Sequence, residues 1–235
     1  MLDLDYGSVQ LARFTSDNGF IVTSTTNLYS NESKIVLNVL NLTSPSNPRL
    51  IAAQALSDYL QNIYPIENGK YFLSVDNVVS IANASGITVR MFQVTDKSVE
   101  QVGKPSEVIL AEQESITPHV WSEAVWDHHA FRYLPRTRKL IIPVRLEYSN
   151  YTPSNYHGFF VYDVDLVKGV RLIGNVTHDY HSEGWCASYP SRSMVFNGDL
   201  VTIMDNSIKR TSTVSSLSNS KWVLDLGCPN GYYSY

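Results

Sequence analysis

All six histidines of the 235-residue chain fall between positions 119 and 181: His119, His128, His129, His157, His178 and His181. Neutral imidazoles beside carboxylates such as Asp127 or Asp179 make the donor set of zinc and copper centres. The metal candidates are therefore Asp127, His128, His178 and His181. Spacing argues against them. On a strand, neighbours such as His128 and His129 point to opposite faces, so one of them at most could join a given site. The run HDYH at 178–181 could chelate from a loop, but it matches no strong ligand signature. The expectation is a chain without metal or cofactor.

Other chemistries leave weaker traces. There is no G-x-S-x-G elbow, no phosphate-binding loop and no H-E-x-x-H in the sequence. Cys186 sits between aromatics in EGWCASYP, a setting that raises a thiol's pKa, so a half-cystine or a buried thiol is expected rather than a nucleophile. The acids Glu123, Asp127, Asp163 and Asp179 could form a glycosidase-like pair, but nothing in their spacing sets two of them at the required separation. No catalytic residue is assigned.

Recognition is better served. Three loops rich in Tyr and Trp, ESITPHVW (114–121), EYSNYTPSNYHG (147–158) and HDYHSEGWCASY (178–189), set aromatic rings beside small polar residues. Such loops offer contact area and hydrogen bonds at low entropic cost. Trp121, Tyr148, Tyr151, Tyr156, His178, Tyr180, Trp185 and Tyr189 are the candidate contacts for a protein, peptide or glycan. The competing reading is that the tyrosines merely cover strand edges.

The framework that must position these loops is all-β. Only 17% of residues are charged, 15 are Tyr, and no helical stripe exceeds two turns. A net charge of -4 without a basic face argues against nucleic acid as a partner. No apolar segment approaches the roughly 18 residues of a membrane helix.

Hairpin signals recur along the chain. Asn18-Gly19, Asn68-Gly69 and Asn197-Gly198 each separate two apolar stretches, the pattern of type I′ turns, and PRTR at 135–138 does so with a different turn. After each hairpin comes a second pair of strands, as in KIVLNVLNLTSPSNPRLIAA and HGFFVYDVDLVKGVRLIGNV. The turns at 18, 68, 137 and 197 are 50, 69 and 60 residues apart, the scale of β-propeller blades. Four blades of four antiparallel strands are expected at about 6–55, 60–103, 127–178 and 191–226, with a long insertion at 104–126. Continuous apolar runs such as LIIPV suit second strands covered on both faces. A β-sandwich is the rival architecture.

Three segments carry a family resemblance: LTSPSNPRLI at 42–51, SEAVWDHHAFRYLPRTRKLIIPV at 122–144 and RSMVFNGDLVTIMDNSIK at 192–209. In order and interval they resemble the secreted bacterial and archaeal proteins with a C-terminal β-propeller distantly related to WD repeats. The resemblance implies a propeller, an extracellular or cell-surface location and no established enzymatic activity. It covers most of this chain but only the C-terminal part of the longer family members. Missing blades of a seven- or eight-bladed ring, or self-association, are therefore expected. The chain departs from the family at Met204-Asp205-Asn206, where small hydroxyl residues are usual.

The motif residues Trp126, Asp127, His128, Phe131, Arg192 and Ser193 are expected to be structural. WDHHAF would open a blade's first strand, with Ala130 and Phe131 inward and Trp126 closing the insertion. Asp127 and His128 would form a buried polar anchor there. The secreted setting would also suit a disulfide between Cys186 and Cys228 and glycosylation at Asn31, Asn41, Asn83, Asn150 and Asn175. The reading is thus a non-enzymatic binding or scaffold module. The alternative is a hydrolase or metal-dependent enzyme using the histidine-rich region 119–181.

Overall fold

A computed structural model describes residues 8–26, 33–56, 62–79, 85–110, 118–148, 156–178, 191–204, 207–211 and 220–225. Among these the backbone forms strands and short 3-10 turns, with no α-helix, arranged as four sheets.

The first sheet runs β1 (Ser8–Phe14), β2 (Asn18–Thr26), β3 (Ser33–Asn41) and β4 (Arg49–Leu56), each hydrogen-bonded to the next. The second follows with β5 (Asn62–Ile66), β6 (Tyr71–Val79), β7 (Ser85–Val94) and β8 (Val99–Gln101), and β9 (Ser106–Leu110) also pairs with β7. In the third, β12 (Lys139–Tyr148) pairs on one edge with both β10 (Pro118–Trp121) and β11 (Arg132–Leu134), and β13 (Tyr156–Asp165) and β14 (Gly169–His178) complete it. The fourth is β15 (Arg192–Phe196), β16 (Asp199–Met204), β17 (Ser207–Thr211) and β18 (Ser220–Asp225). Sequential up-and-down pairing repeated four times is the connectivity of propeller blades.

The chain divides into two compact units. One comprises Met1–Val78, Ile87–Val108 and Asp165–Val170, and the other Val79–Gly86, Ile109–Val164 and Arg171–Tyr235. Apart from strand ends, each holds two of the four sheets.

In the first unit Phe20, Val22, Leu37, Val39, Ile63, Phe72, Phe92 and Val99 form one buried cluster drawn from both of its sheets. In the second, Ile141, Phe159, Val161, Val176, Leu200 and Met204 do the same. Leu140 to Val144 are all buried, as expected of the continuous run on a second strand. Phe159, Phe160 and Tyr162 are all buried on β13, and since the adjacent Phe159 and Phe160 point to opposite faces, both faces of that strand are covered.

The turns depart from expectation. A two-residue loop with positive φ at both positions occurs at Asn197 (49°) and Gly198 (82°), where Phe196 pairs with Asp199. At Asn68-Gly69 the positive φ begins one residue earlier, at Glu67, and the loop between paired Ile66 and Tyr71 is four residues long. Asn18-Gly19 is not a turn: both residues already belong to β2, and Phe14 pairs with Gly19. The cause is Thr15, whose N–H donates to the Asn18 carbonyl at 2.8 Å and whose hydroxyl accepts from Asn18 N at 3.0 Å, closing a four-residue loop upstream.

The expected insertion 104–126 is also corrected. It contains β9, which extends the second sheet, and β10, so the third blade begins at Pro118 rather than at 127.

Candidate functional site

The first strand of the third blade is interrupted. Trp121 pairs with Arg145 and Arg132 pairs with Ile141, so residues 122–131 leave the ladder while only 142–144 pass on the partner strand. Pro143 lies in that gap. Its carbonyl accepts from the Ser122 hydroxyl at 2.5 Å, so the same edge also carries the proline nitrogen, which has no hydrogen to donate. The ladder fails where it lacks a donor, and ten residues form an excursion from the blade edge.

Two 3-10 turns fill the excursion, and each starts at a capping side chain. Ser122 Oγ accepts from Ala124 N at 3.2 Å ahead of Glu123–Val125, and Asp127 Oδ1 accepts from His129 N at 2.9 Å ahead of His128–Ala130. Ala124, Val125 and Ala130 are buried and root the excursion in the second unit.

WDHHAF is therefore a turn, not the opening of a strand. Ala130 points inward as expected and Phe131 is half-buried. Asp127 does accept a backbone donor at this corner, but the expected pairing with a buried His128 is not formed. The partner of Asp127 is His129, whose Nδ1 lies 2.9 Å from Oδ1, while His128 and His129 are both exposed. A 3-10 turn rotates successive side chains by about 120° instead of the strand's alternation. The two rings consequently face each other, with centroids 3.9 Å apart, and ligand atoms of Asp127, His128 and His129 all lie within 4.8 Å of one another.

The second oxygen of Asp127 is held from far along the chain. Arg192 donates to Asp127 Oδ2 at 2.7 Å and to Glu123 Oε1 at 2.9 Å, while Glu123 Oε2 accepts from Ser191 N at 2.8 Å. Arg132 Nε adds a bond to the Ser193 carbonyl at 3.1 Å. One guanidinium thus bridges the two turns, using the forked geometry that lysine lacks. Burial pushes the Asp127 carboxyl upward, but the His129 amide and ring together with Arg192 outweigh it and leave it below the usual carboxylate range.

Trp126 separates the two turns and is 59% exposed. Its ring stacks on Trp121 with centroids 5.6 Å apart, and the Arg145 guanidinium lies 4.8 Å from the Trp121 ring centre. The excursion thus presents an indole platform, a carboxylate clamped by arginine, and two accessible imidazoles.

A family model described as the beta propeller domain matches residues 8–216. The chain belongs to the β-propeller domain family. Among solved structures it is similar to a protein of unknown function from Desulfotomaculum acetoxidans DSM 771, at 9% identity and a TM-score of 0.36, covering 94% of this chain and 70% of that one. It is also similar to the β-propeller domain of the Trilobed protease from Pyrococcus furiosus, at 7% identity and a TM-score of 0.33, covering 96% and 97%. No curated protein matches the chain.

The remaining candidates of this propeller domain are dispersed. His178 is a core residue: Nδ1 lies 2.7 Å from Ser207 Oγ and Nε2 2.9 Å from Thr202 Oγ1, so hydroxyls hold both nitrogens. It does not chelate from a loop. The buried His157 ring places Nε2 3.1 Å from Glu147 Oε1, and His119 is exposed on β10. The Tyr156 hydroxyl lies 3.3 Å from the carbonyls of Phe159 and Val176, which makes it a strut inside the sheet rather than a contact residue.

Glu123 and Asp127 do come together, but Arg192 lies between them and takes up both carboxylates. Asp163 pairs with Lys139 at 2.5 Å. Asn175 is exposed on β14, and Asn41 accepts from Thr43 N at 2.9 Å and Thr43 Oγ1 at 2.6 Å. Tyr148 ends β12. Tyr151, Asp179, Tyr180, His181, Trp185, Cys186, Tyr189, Asn31, Asn83, Asn150 and Cys228 lie outside the described residues, and so does the expected disulfide.

Sequence reasoning missed His129 as the partner of Asp127, Arg145 as the clamp on Trp121, and Ser122 as a cap. Ser122 and Asp127, each directly before a short polar or small-residue run, are N-cap signals that could have revealed both turns.

Proposed function

We propose that this propeller is a non-enzymatic binding module that recognises a protein, peptide or glycan ligand, with the 122–131 excursion as the contact surface. The observation that carries the reading is Trp126, an indole exposed to solvent while its ring is stacked on Trp121. Exposing a large apolar ring opposes the hydrophobic effect, and the stack restrains it, so little rotamer entropy is left to lose on contact. A tryptophan face of this kind accepts the C–H face of a sugar ring or a proline, with Asp127 and Arg192 beside it as hydrogen-bonding groups.

Glycan and peptide arrays probed with the full chain test this. Trp126→Ala is expected to weaken binding of the captured ligand by about 2 kcal/mol, roughly thirtyfold, with the melting temperature lowered only slightly, because the ring is 59% exposed and gives up little beyond its stack on Trp121. Ligands retained at full affinity by Trp126→Ala would place recognition elsewhere on the propeller.

The extracellular or cell-surface setting belongs to the same proposal and rests on the family resemblance. Protease added to intact cells is expected to remove the protein, and full protection from it would withdraw the setting.

A further inference from the structure

We propose that Asp127, His128 and His129 bind a divalent transition-metal ion, zinc or copper, through Asp127 Oδ1 and one nitrogen of each imidazole. The inference is independent of the recognition reading, which needs no metal.

The donor set comes first. Two imidazoles and one carboxylate suit zinc and copper, whereas magnesium and calcium require shells of oxygen. Geometry comes second. Metal–ligand bonds of about 2.0–2.2 Å in a tetrahedral shell set ligand atoms about 3.3–3.6 Å apart. Here Asp127 Oδ1 and His129 Nδ1 are 2.9 Å apart and all three donors fit within 4.8 Å. Small rotations of exposed rings close the difference, and no core packing resists them, since the His129 side chain is 66% exposed.

Preorganisation is the third element. The carboxylate cannot swing away, because the His129 amide fixes Oδ1 and Arg192 fixes Oδ2. Arg192 leaves Asp127 one oxygen to offer, and its positive charge opposes a cation. Glu123 answers that charge, with an oxygen 2.9 Å from the same guanidinium, so the two carboxylates and one arginine sum to one negative charge. Two imidazoles beside a net negative charge form a cation site.

The fold gives His128 no other employment. Its ring is exposed and lies against the ring of His129, with centroids 3.9 Å apart, while the Asp127–Arg192–Glu123 bridge is made without it. Three protein ligands leave part of the metal's shell to water, so the ion would be exchangeable and open to a further ligand.

The test is isothermal titration of the tag-free full chain with zinc and with copper. One equivalent per chain is expected for each, copper the tighter by the usual affinity order, and none for magnesium. His128→Ala and His129→Ala are each expected to weaken binding by about tenfold or more, and the double variant to lose it. Circular dichroism should stay unchanged, since both side chains face solvent. Electron paramagnetic resonance of the copper form should show two coordinated nitrogens, falling to one in His128→Ala. His119→Ala and His181→Ala should bind as the parent does. No uptake by the parent at micromolar metal, or an unaltered equivalent in the double variant, overturns the site.

Discussion

Replacing Phe72 by alanine is expected to destabilise the protein by about 3–5 kcal/mol, measured by urea denaturation followed by circular dichroism. Phe72 is fully buried on β6, stacked on Phe92 at 4.7 Å between centroids with only 12° between planes, and edge-on to Phe20 at 5.7 Å. Phe20 belongs to the first sheet, whereas Phe72 and Phe92 belong to the second, so one ring contributes to the contact that joins two blades of the same unit. Truncation removes the transfer free energy of the ring and leaves a cavity. Strands held by cross-strand hydrogen bonds on both sides cannot collapse far to fill it. Phe72→Leu keeps most of the volume and should cost less than half as much. A loss below about 1 kcal/mol for the alanine variant would mean that the two sheets do not depend on this cluster.

That cluster was legible in the sequence because it is written locally. FIV, KYFLSV and GITVRMFQV combine β-branched and aromatic residues in runs too short for helices, and hairpins repeating at blade-sized intervals follow from them. What the fold does at turns was less legible. Asn18-Gly19 carries the strongest two-residue hairpin signal, yet Thr15 closes the chain three residues earlier with a backbone and a hydroxyl bond. Asn197-Gly198 has no such competitor, and there the dipeptide forms the turn that its composition announces.

The candidate site was legible in composition but not in geometry. WDHHAF displays its imidazoles and its carboxylate openly, but strand alternation, the local rule for such a run, sends His128 and His129 apart. Two features outside that window decide otherwise. Pro143 removes a ladder donor 16 residues downstream of Asp127, so the edge strand cannot run through. Arg192, a further 49 residues along, fixes the carboxylate that caps the turn. Periodicity reasoning assumes a continuous pleat, and neither a missing donor on the partner strand nor a distant cation appears in a local pattern. The cap residues Ser122 and Asp127 are the local trace of both, and they count for more than alternation where a run contains no β-branched residue.

Arg192→Ala is expected to cost about 2–3 kcal/mol, below the range for breaking a fully buried pair because its side chain is 31% exposed. The loss has an identifiable origin: Glu123 and Asp127, with side chains 16% and 25% exposed, would face each other with no cation between them. Ser191 N still reaches Glu123, and His129 N still reaches Asp127, so each carboxylate keeps one donor and the excursion loosens without unravelling. Arg192→Lys restores the charge but not the fork. A lysine can approach one carboxylate as a point charge, so it should recover about half of the loss. The charge-neutral double change Glu123→Gln with Arg192→Ala separates repulsion from lost bonding. If repulsion dominates, adding Glu123→Gln to Arg192→Ala raises stability, and if bonding dominates it lowers stability further. A lysine variant as stable as the parent would show that Arg192 acts through charge alone. The bidentate bridge between the two turns would then not be what holds the excursion, and the carboxylate would lose the fixed position on which the chemistry of Asp127, His128 and His129 depends.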